Sequence, residues 1–168
     1  MMDETRFRAF YQEMYPRIWS YVHRMVSEQS ECEDVAQESF LRFLRSAPPK
    51  LSDADQRSYL YRIATNIVKD SWRARQTQTA WLAEQGDEEQ VSESEGAITA
   101  SVDINRALNL LSPGQRSLVW LAYIEGYEHK EIAEITGVKP ASVRVLLLRA
   151  RKRLAEFLNE DTSEKRHE

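Results

Sequence analysis

Apolar residues near the start of the chain recur at three- and four-residue steps. Phe7, Phe10, Tyr11, Met14, Tyr15, Ile18, Trp19, Val22 and Met25 fall on one side of a helical wheel, which predicts a helix there. Pro16 lacks the amide that an interior helical bond needs, so the helix is expected to kink there or to restart with the proline in its first turn. Ser30, followed three residues later by Glu33, reads as a capping box; Val35, Ala36, Phe40, Phe43 and Leu44 then share the inward face of a second helix. "SAPPK" interrupts the pattern, and Ser52 with the acids beside it suits the start of a third helix reaching about Arg75.

From Gln76 to Ala100 the chain is polar, acidic and weakly periodic, the composition of a tether that cannot bury enough surface to order itself. Helical spacing resumes with Val102, Leu108 and Leu111. Ser112, Pro113 and Gln115 supply a cap, a first-position proline and a third-position partner ahead of Leu118, Leu121 and Ala122. A short helix carrying Ile132, Ala133 and Ile135 is stopped by Gly137, and another runs from Pro140 to about Leu158. No stretch alternates like a strand for long. The expected fold class is all-α: two small helical domains, residues 1–77 and 101–160, joined by a flexible acidic linker at 78–100 and followed by a polar tail at 161–168.

Composition narrows the possibilities. The chain has 168 residues, 42% hydrophobic and 30% charged, enough for one medium or two small domains with their own cores. Cys32 is the single cysteine, so no internal disulfide framework is possible and a cytoplasmic location is the default expectation. No apolar window approaches the ~18 residues of a membrane span, and the N-terminus has no export-signal pattern, so membrane insertion is not expected. The histidines, His23, His129 and His167, have no metal-ligand spacing, and neither a phosphate loop nor a nucleophile elbow is present. Neither enzymatic activity nor a cofactor is therefore expected.

The net charge of −4 conceals a basic, acidic, basic layout. Arg57, Arg62, Lys69, Arg73 and Arg75 face only Asp70 over residues 57–75; Lys139, Arg144, Arg149, Arg151, Lys152 and Arg153 occur without an acid. Between the two islands lie Glu84, Asp87, Glu88, Glu89, Glu93 and Glu95. In "HKEIAEITGVKPASVRVLLLRARKRL" the basic island falls on the second helix of a helix-turn-helix layout, with Ala133 small at the crossing and Val138 and Val143 able to plug the angle. That second helix enters the major groove in DNA-binding examples, where Ser142 would cap the helix or meet a phosphate and Arg144 would reach a base edge or the backbone. An ordinary helical hairpin with a solvated basic face is the alternative.

On the third helix Leu60, Ile63, Ala64, Ile67, Val68 and Trp72 make the apolar stripe. Tyr59, Arg62, Asn66, Lys69 and Arg73 step along another face, with Asp70 beside them. Cations track phosphates, a tyrosine stacks on an unpaired base, and an asparagine bonds a base edge, a combination suited to a strand that has left its duplex. A solvated charged face explains the same residues equally well. In "SECEDVAQESFLRFLR", Glu31, Glu33 and Asp34 favour the helix dipole, whereas Gln37 and Glu38 with Phe40 and Leu41 suit docking onto a basic protein.

Taken in order, these segments resemble the extracytoplasmic-function group of bacterial sigma factors over nearly the whole chain. "EDVAQESFLRFLR" is similar to the family's polymerase-clamp-binding segment, "YLYRIATNIVKDSWRAR" to its promoter-melting helix, and "LLSPGQRSLVWLAYIEGYEHKEIAEITGVKPASVRVLLLRARKRL" to its minus-thirty-five domain. The resemblance implies core RNA polymerase, promoter DNA and an anti-sigma factor as partners. It implies polymerase contacts from Asp34, Gln37, Glu38, Phe40 and Leu41. Minus-ten contacts are implied for Lys50, Tyr59, Arg62, Asn66, Lys69, Asp70, Arg73 and Arg75, with the loop from Pro48 to Asp53 pocketing a flipped base. Minus-thirty-five contacts are implied for Lys139, Ser142, Arg144, Val145, Leu148, Arg149 and Arg151. Tyr59 stands where the family usually has Trp, which keeps a stacking ring. Val145, Leu146 and Leu148 occupy positions often polar, basic or aromatic, which points towards phosphate, shape or thymine-methyl readout.

Melting DNA needs help. Opening about ten base-pair steps costs roughly 14 kcal/mol, while each base stacked on a ring returns only about 1–3 kcal/mol. A melting face on so small a domain therefore makes sense only within a larger machine. The competing expectation is a stand-alone helix-turn-helix repressor or activator with an N-terminal sensing or dimerising bundle. It would bind its site without polymerase, losing about 0.9 of salt slope per phosphate contact removed.

Overall fold

The computed structural model describes residues 2–48, 50–75, 81–82 and 105–165, and every regular element among them is helical. Helix α1 spans Glu4–Met25, α2 Gln29–Ser46 and α3 Asp53–Arg75. Helical residues 105–109 precede α4, Pro113–Val119, which runs on into a π-helical turn, Trp120–Ile124. Then come α5, His129–Thr136, and α6, Pro140–Lys165. The acidic linker predicted over 78–100 lies outside the described residues, apart from Trp81 and Leu82.

Helix α1 begins where Asp3 accepts the Arg6 amide at 2.9 Å and continues through Pro16 without restarting. Pro16 and Gln12, whose carbonyl loses its helical donor, are both exposed, so water can serve the freed oxygen. The predicted Ser30–Glu33 capping box does not form. Helix α2 starts two residues early, Glu28 occupies its cap position without a side-chain bond, and Glu33 takes a 3.4 Å contact from Gln29. An acid in the first turn, Glu31, still complements the helix dipole. Ser52 caps α3 as expected, accepting the Asp55 amide at 3.1 Å.

Helices α1 to α3 close a three-helix bundle around Met14, Ile18, Val22, Val35, Ala36, Phe43, Leu60, Ala64 and Val68, all buried. Two polar groups in it satisfy each other: Thr65 donates to the Tyr61 carbonyl at 2.7 Å and so receives the Tyr21 hydroxyl, also at 2.7 Å. In the C-terminal half Leu118, Leu121, Ile132, Ile135, Val143 and Leu147 form the core. Ser112 and Gln115 make the predicted capping box, and Gly137 turns the chain at φ 75° before α6.

The two halves pack directly on one another, α3 against α5 and α1 against α4. Trp81 is docked as well, although the tether composition gave no hint of it. Its indole lies 6.4 Å from Trp72, and its carbonyl accepts the Gly114 amide at 2.7 Å. Glycine is required at 114, because a Cβ there would sit 2.5 Å from that carbonyl.

Candidate nucleic-acid interface

The stripe predicted on α3 exists, and its members differ in freedom. Arg62 and Asn66 are exposed and make no hydrogen bond among the described residues. Asp70 and Arg73 are exposed and 3.9 Å apart, while Arg75 has swung to Glu31 on α2 at 2.8 Å. Tyr59 is half-buried; its ring lies 6.1 Å from Phe43 and its hydroxyl donates to the Ser46 carbonyl at 3.2 Å. Lys69 is half-buried too, donating to the Thr136 carbonyl at the end of α5. Desolvation draws its ammonium below the usual lysine range, and Arg73 adds to the effect. Lys50 is exposed in the loop before α3.

On α6, Arg144, Val145, Leu148, Arg149 and Arg151 project to solvent, with Leu148 63% exposed; Leu146 is half-buried. Val143 and Ala133 are buried at the helix crossing, as their sizes predicted, and Ser142 is half-buried in the first turn. The Arg151 guanidinium lies over Tyr123, 6.0 Å from the ring centre. The start of α6 and the C-terminal end of α3 share one cavity of about 730 Å³, with Lys69, Arg73, Lys139, Ser142, Arg149 and Trp81 among its walls. Four cations with little acid between them make this cavity attractive to polyanions.

The acidic face of α2 is open. Asp34, Gln37 and Leu41 are exposed, and Glu38 pairs with Arg42 at 2.8 Å. Phe40 departs from its expected contact role. It is 3% exposed, with its ring 4.7 Å from Tyr11 and edge-on to Phe10, so it supports the face from beneath. Leu44, expected inside, is 51% exposed and extends the apolar edge beside Leu41.

Sequence reasoning missed Tyr61, Glu125 and Arg17. The Tyr61 hydroxyl donates to Glu125 at 2.6 Å, and Arg17 pairs with the same carboxylate from α1. Burial pushes the Tyr61 phenol well above the usual tyrosine range, so it stays a neutral donor. Only the alignment of α3 with α1 hints at Tyr61; nothing local marks Glu125.

A helical bundle with a polar, basic face, followed by a helix-turn-helix, fits the organisation of a transcription initiation subunit, and family comparison agrees. Residues 10–78 match Sigma-70 region 2 and residues 101–154 match Sigma-70, region 4. The chain is 30% identical over 160 residues to the ECF RNA polymerase sigma factor SigL of Mycobacterium tuberculosis, covering 91% of this chain and 89% of that one. It is also 30% identical over 157 residues to SigE of Mycolicibacterium smegmatis, covering 88% of this chain but 60% of SigE. The fold recurs in the sigma factor RpoE of Bartonella quintana, solved with the anti-sigma factor NepR, at TM-score 0.69 and 21% identity over 91% of this chain and 96% of that one. The chain belongs to the extracytoplasmic-function sigma factors of the sigma-70 family, which direct transcription initiation by RNA polymerase.

Proposed function

We propose that this chain binds core RNA polymerase through α2 and positions it on a promoter through two separate DNA surfaces. Residues 1–77 act as the polymerase-binding and minus-ten domain, and residues 101–160 act as the minus-thirty-five domain. Asp34, Gln37, Glu38 and Leu41 make the polymerase contact, joined by Leu44. Arg62, Asn66, Lys69 and Arg73 follow the non-template strand as it unpairs, Tyr59 stacks after releasing Ser46, and Lys50 approaches from the loop. Ser142, Arg144 and Arg149 hold the upstream duplex, with Lys139 and Arg151 on its phosphates and Val145 and Leu148 against thymine methyls. The observation that carries this reading is the pair of exposed, unengaged side chains, Arg62 and Asn66, projecting from an otherwise packed bundle helix. The chain works in the cytoplasm, and an anti-sigma factor restrains it by covering the α2 face. Among the described residues no helix is long and apolar enough to cross a membrane.

The test is transcription from a genomic fragment library with purified core polymerase, followed by start-site mapping. Discrete start sites appear only when both proteins are present. Asn66→Ala with Arg73→Ala reduces permanganate-reactive thymines in the bubble while leaving affinity for core polymerase near normal. Loss of polymerase binding in that variant would mean the faces are exchanged.

A further inference from the structure

We propose that Glu125 is an intramolecular latch, holding the free chain in a closed, self-inhibited state in which the helix-turn-helix turn covers the C-terminal end of α3 and engages Lys69. The inhibitory part rests on the assignment of faces proposed above; the latch itself does not.

Glu125 ends the π-helical turn of the C-terminal half, just before Gly126 redirects the chain at φ 73°. Its side chain is only 4% exposed. A carboxylate is tolerated in such a place when it is paired and hydrogen-bonded, and both partners here come from the opposite half: Arg17 of α1 and the hydroxyl of Tyr61 on α3. Tyr127 sets its ring edge-on to Tyr61 at 5.9 Å, and Arg116 donates to the Arg24 carbonyl across the same boundary at 3.0 Å. Arg17, Tyr61 and Glu125 belong to none of the expected DNA or polymerase contacts. Their arrangement is explained by closure.

Closure has a direct consequence for DNA. Lys69 is spent on the Thr136 carbonyl, and the helix-turn-helix turn comes so near that a Cβ at Gly137 would lie 3.3 Å from its ammonium nitrogen. The first turn of α6 shares its cavity with Lys69 and Arg73. Closure therefore withdraws Lys69 from the α3 stripe, while Arg144, Val145, Leu148, Arg149 and Arg151 of α6 stay exposed.

The interface also carries features that favour release. Arg24 Nε and Trp120 Nε1 are buried at the boundary with no acceptor among the described residues, a penalty removed when water returns. Lys69, Arg73, Lys139 and Arg149 surround one cavity and repel each other until an anion or separation relieves them. The paired carboxylate holds the halves together against that repulsion. Separating the halves breaks the Glu125 pair together with the Lys69–Thr136, Arg116–Arg24 and Tyr61–Tyr127 contacts.

The decisive measurement is an interdomain distance in the full chain, with spin labels at Ala9→Cys and Lys152→Cys in a Cys32→Ser background. The unaltered latch gives one short, narrow distribution; Glu125→Ala and, independently, Arg17→Glu shift it to long and broad. The exchange Arg17→Glu with Glu125→Arg restores the short distance, which also excludes misfolding as the cause. In parallel, affinity for a forked duplex of arbitrary sequence at low salt rises about tenfold in both opened variants, because the binding-competent fraction rises. Two opened variants that keep the short distance overturn the latch, as does an unaltered chain that is already long and broad. A lengthened distance with unchanged DNA affinity overturns self-inhibition and points to wrongly assigned faces, whereas transcription from mapped start sites with core polymerase judges the function independently.

Discussion

Helices α2 and α3 belong to one bundle and follow the same local rule, an apolar stripe inward and a polar stripe outward, yet their outer faces are in different states. Asp34, Gln37 and Leu41 on α2 meet solvent, and neither α5 nor α6 packs on that helix to any extent. On α3, Arg62 and Asn66 are free, whereas Lys69 is held under α5 and Tyr59 is tied back to Ser46. On the proposed assignment of faces, the difference implies an order of events. A partner protein docks on α2 without rearrangement, while Lys69 of α3 becomes available to DNA only after the C-terminal half moves away. A face that is open from the start suits the first encounter, and a face that must be uncovered suits a later step.

The largest effect separates what lies beneath the α2 face from what lies on it. Phe40→Ala removes a ring packed among Tyr11, Phe10 and Phe7 and is expected to cost about 3–5 kcal/mol in urea unfolding. Leu41→Ala, one residue on, is expected to stay within about 0.5 kcal/mol, since it is 47% exposed. The same Leu41→Ala should weaken affinity for core polymerase about tenfold, the loss typical of an apolar anchor at an interface. Equal stability losses at the two positions would mean that α2 has no open face and that the contrast with α3 is wrong.

Much of this was legible in the sequence, and what was not follows a pattern. Helix spacing located α1 to α3, and the Ser112–Gln115 box and Gly137 located the helix-turn-helix, because each depends on residues within one turn of each other. The stripe from Arg62 to Arg73 was visible for the same reason. The wheel position of Phe40, on the inward face with Val35, Ala36 and Phe43, agrees with its burial under Phe7 and Tyr11; its grouping with Gln37, Glu38 and Leu41 as a surface contact does not. Ser30 is not the cap because the helix starts two residues earlier, after Glu28, which puts Ser30 inside its first turn. Trp81, in an acidic low-complexity stretch, docks because Gly114 leaves room for its carbonyl, a contact between residues far apart in sequence. Arg17, Tyr61 and Glu125 were invisible for that reason in its strongest form: a latch across two domains has no local signature.

A smaller effect is expected at Gly114, which tests whether the covered end of α3 is bounded by Trp81 as described. Gly114→Ala places a methyl against the Trp81 carbonyl, 2.5 Å away, and against Leu82 Cδ2, 2.6 Å away. The expected loss is about 1–3 kcal/mol, as for overpacking at a tight contact. Displacement of the indole also shifts tryptophan emission to longer wavelength, and Trp81→Phe removes most of that shift. An unshifted spectrum would mean that Trp81 does not cap α3 in solution and that the covering of this helix comes from α5 alone.

The smallest effect is a coupling, and it addresses the contrast between α2 and α3 most directly. Gly137→Ala costs about 1 kcal/mol at a positive φ wherever the C-terminal half sits, because the strain is internal to the turn. In the closed chain the new methyl also meets the Lys69 ammonium at 3.3 Å, a contact that Lys69→Ala abolishes. A double-mutant cycle between Gly137→Ala and Lys69→Ala should therefore show an interaction of about 0.5 kcal/mol or more, whereas Gly137→Ala with Gln37→Ala should be additive within error. Because backbone strain cancels in the cycle, the interaction reports only whether Lys69 lies on the turn. Additivity at both pairs would place α3 in the same open state as α2, and polymerase and promoter would then have no reason to engage the chain in sequence.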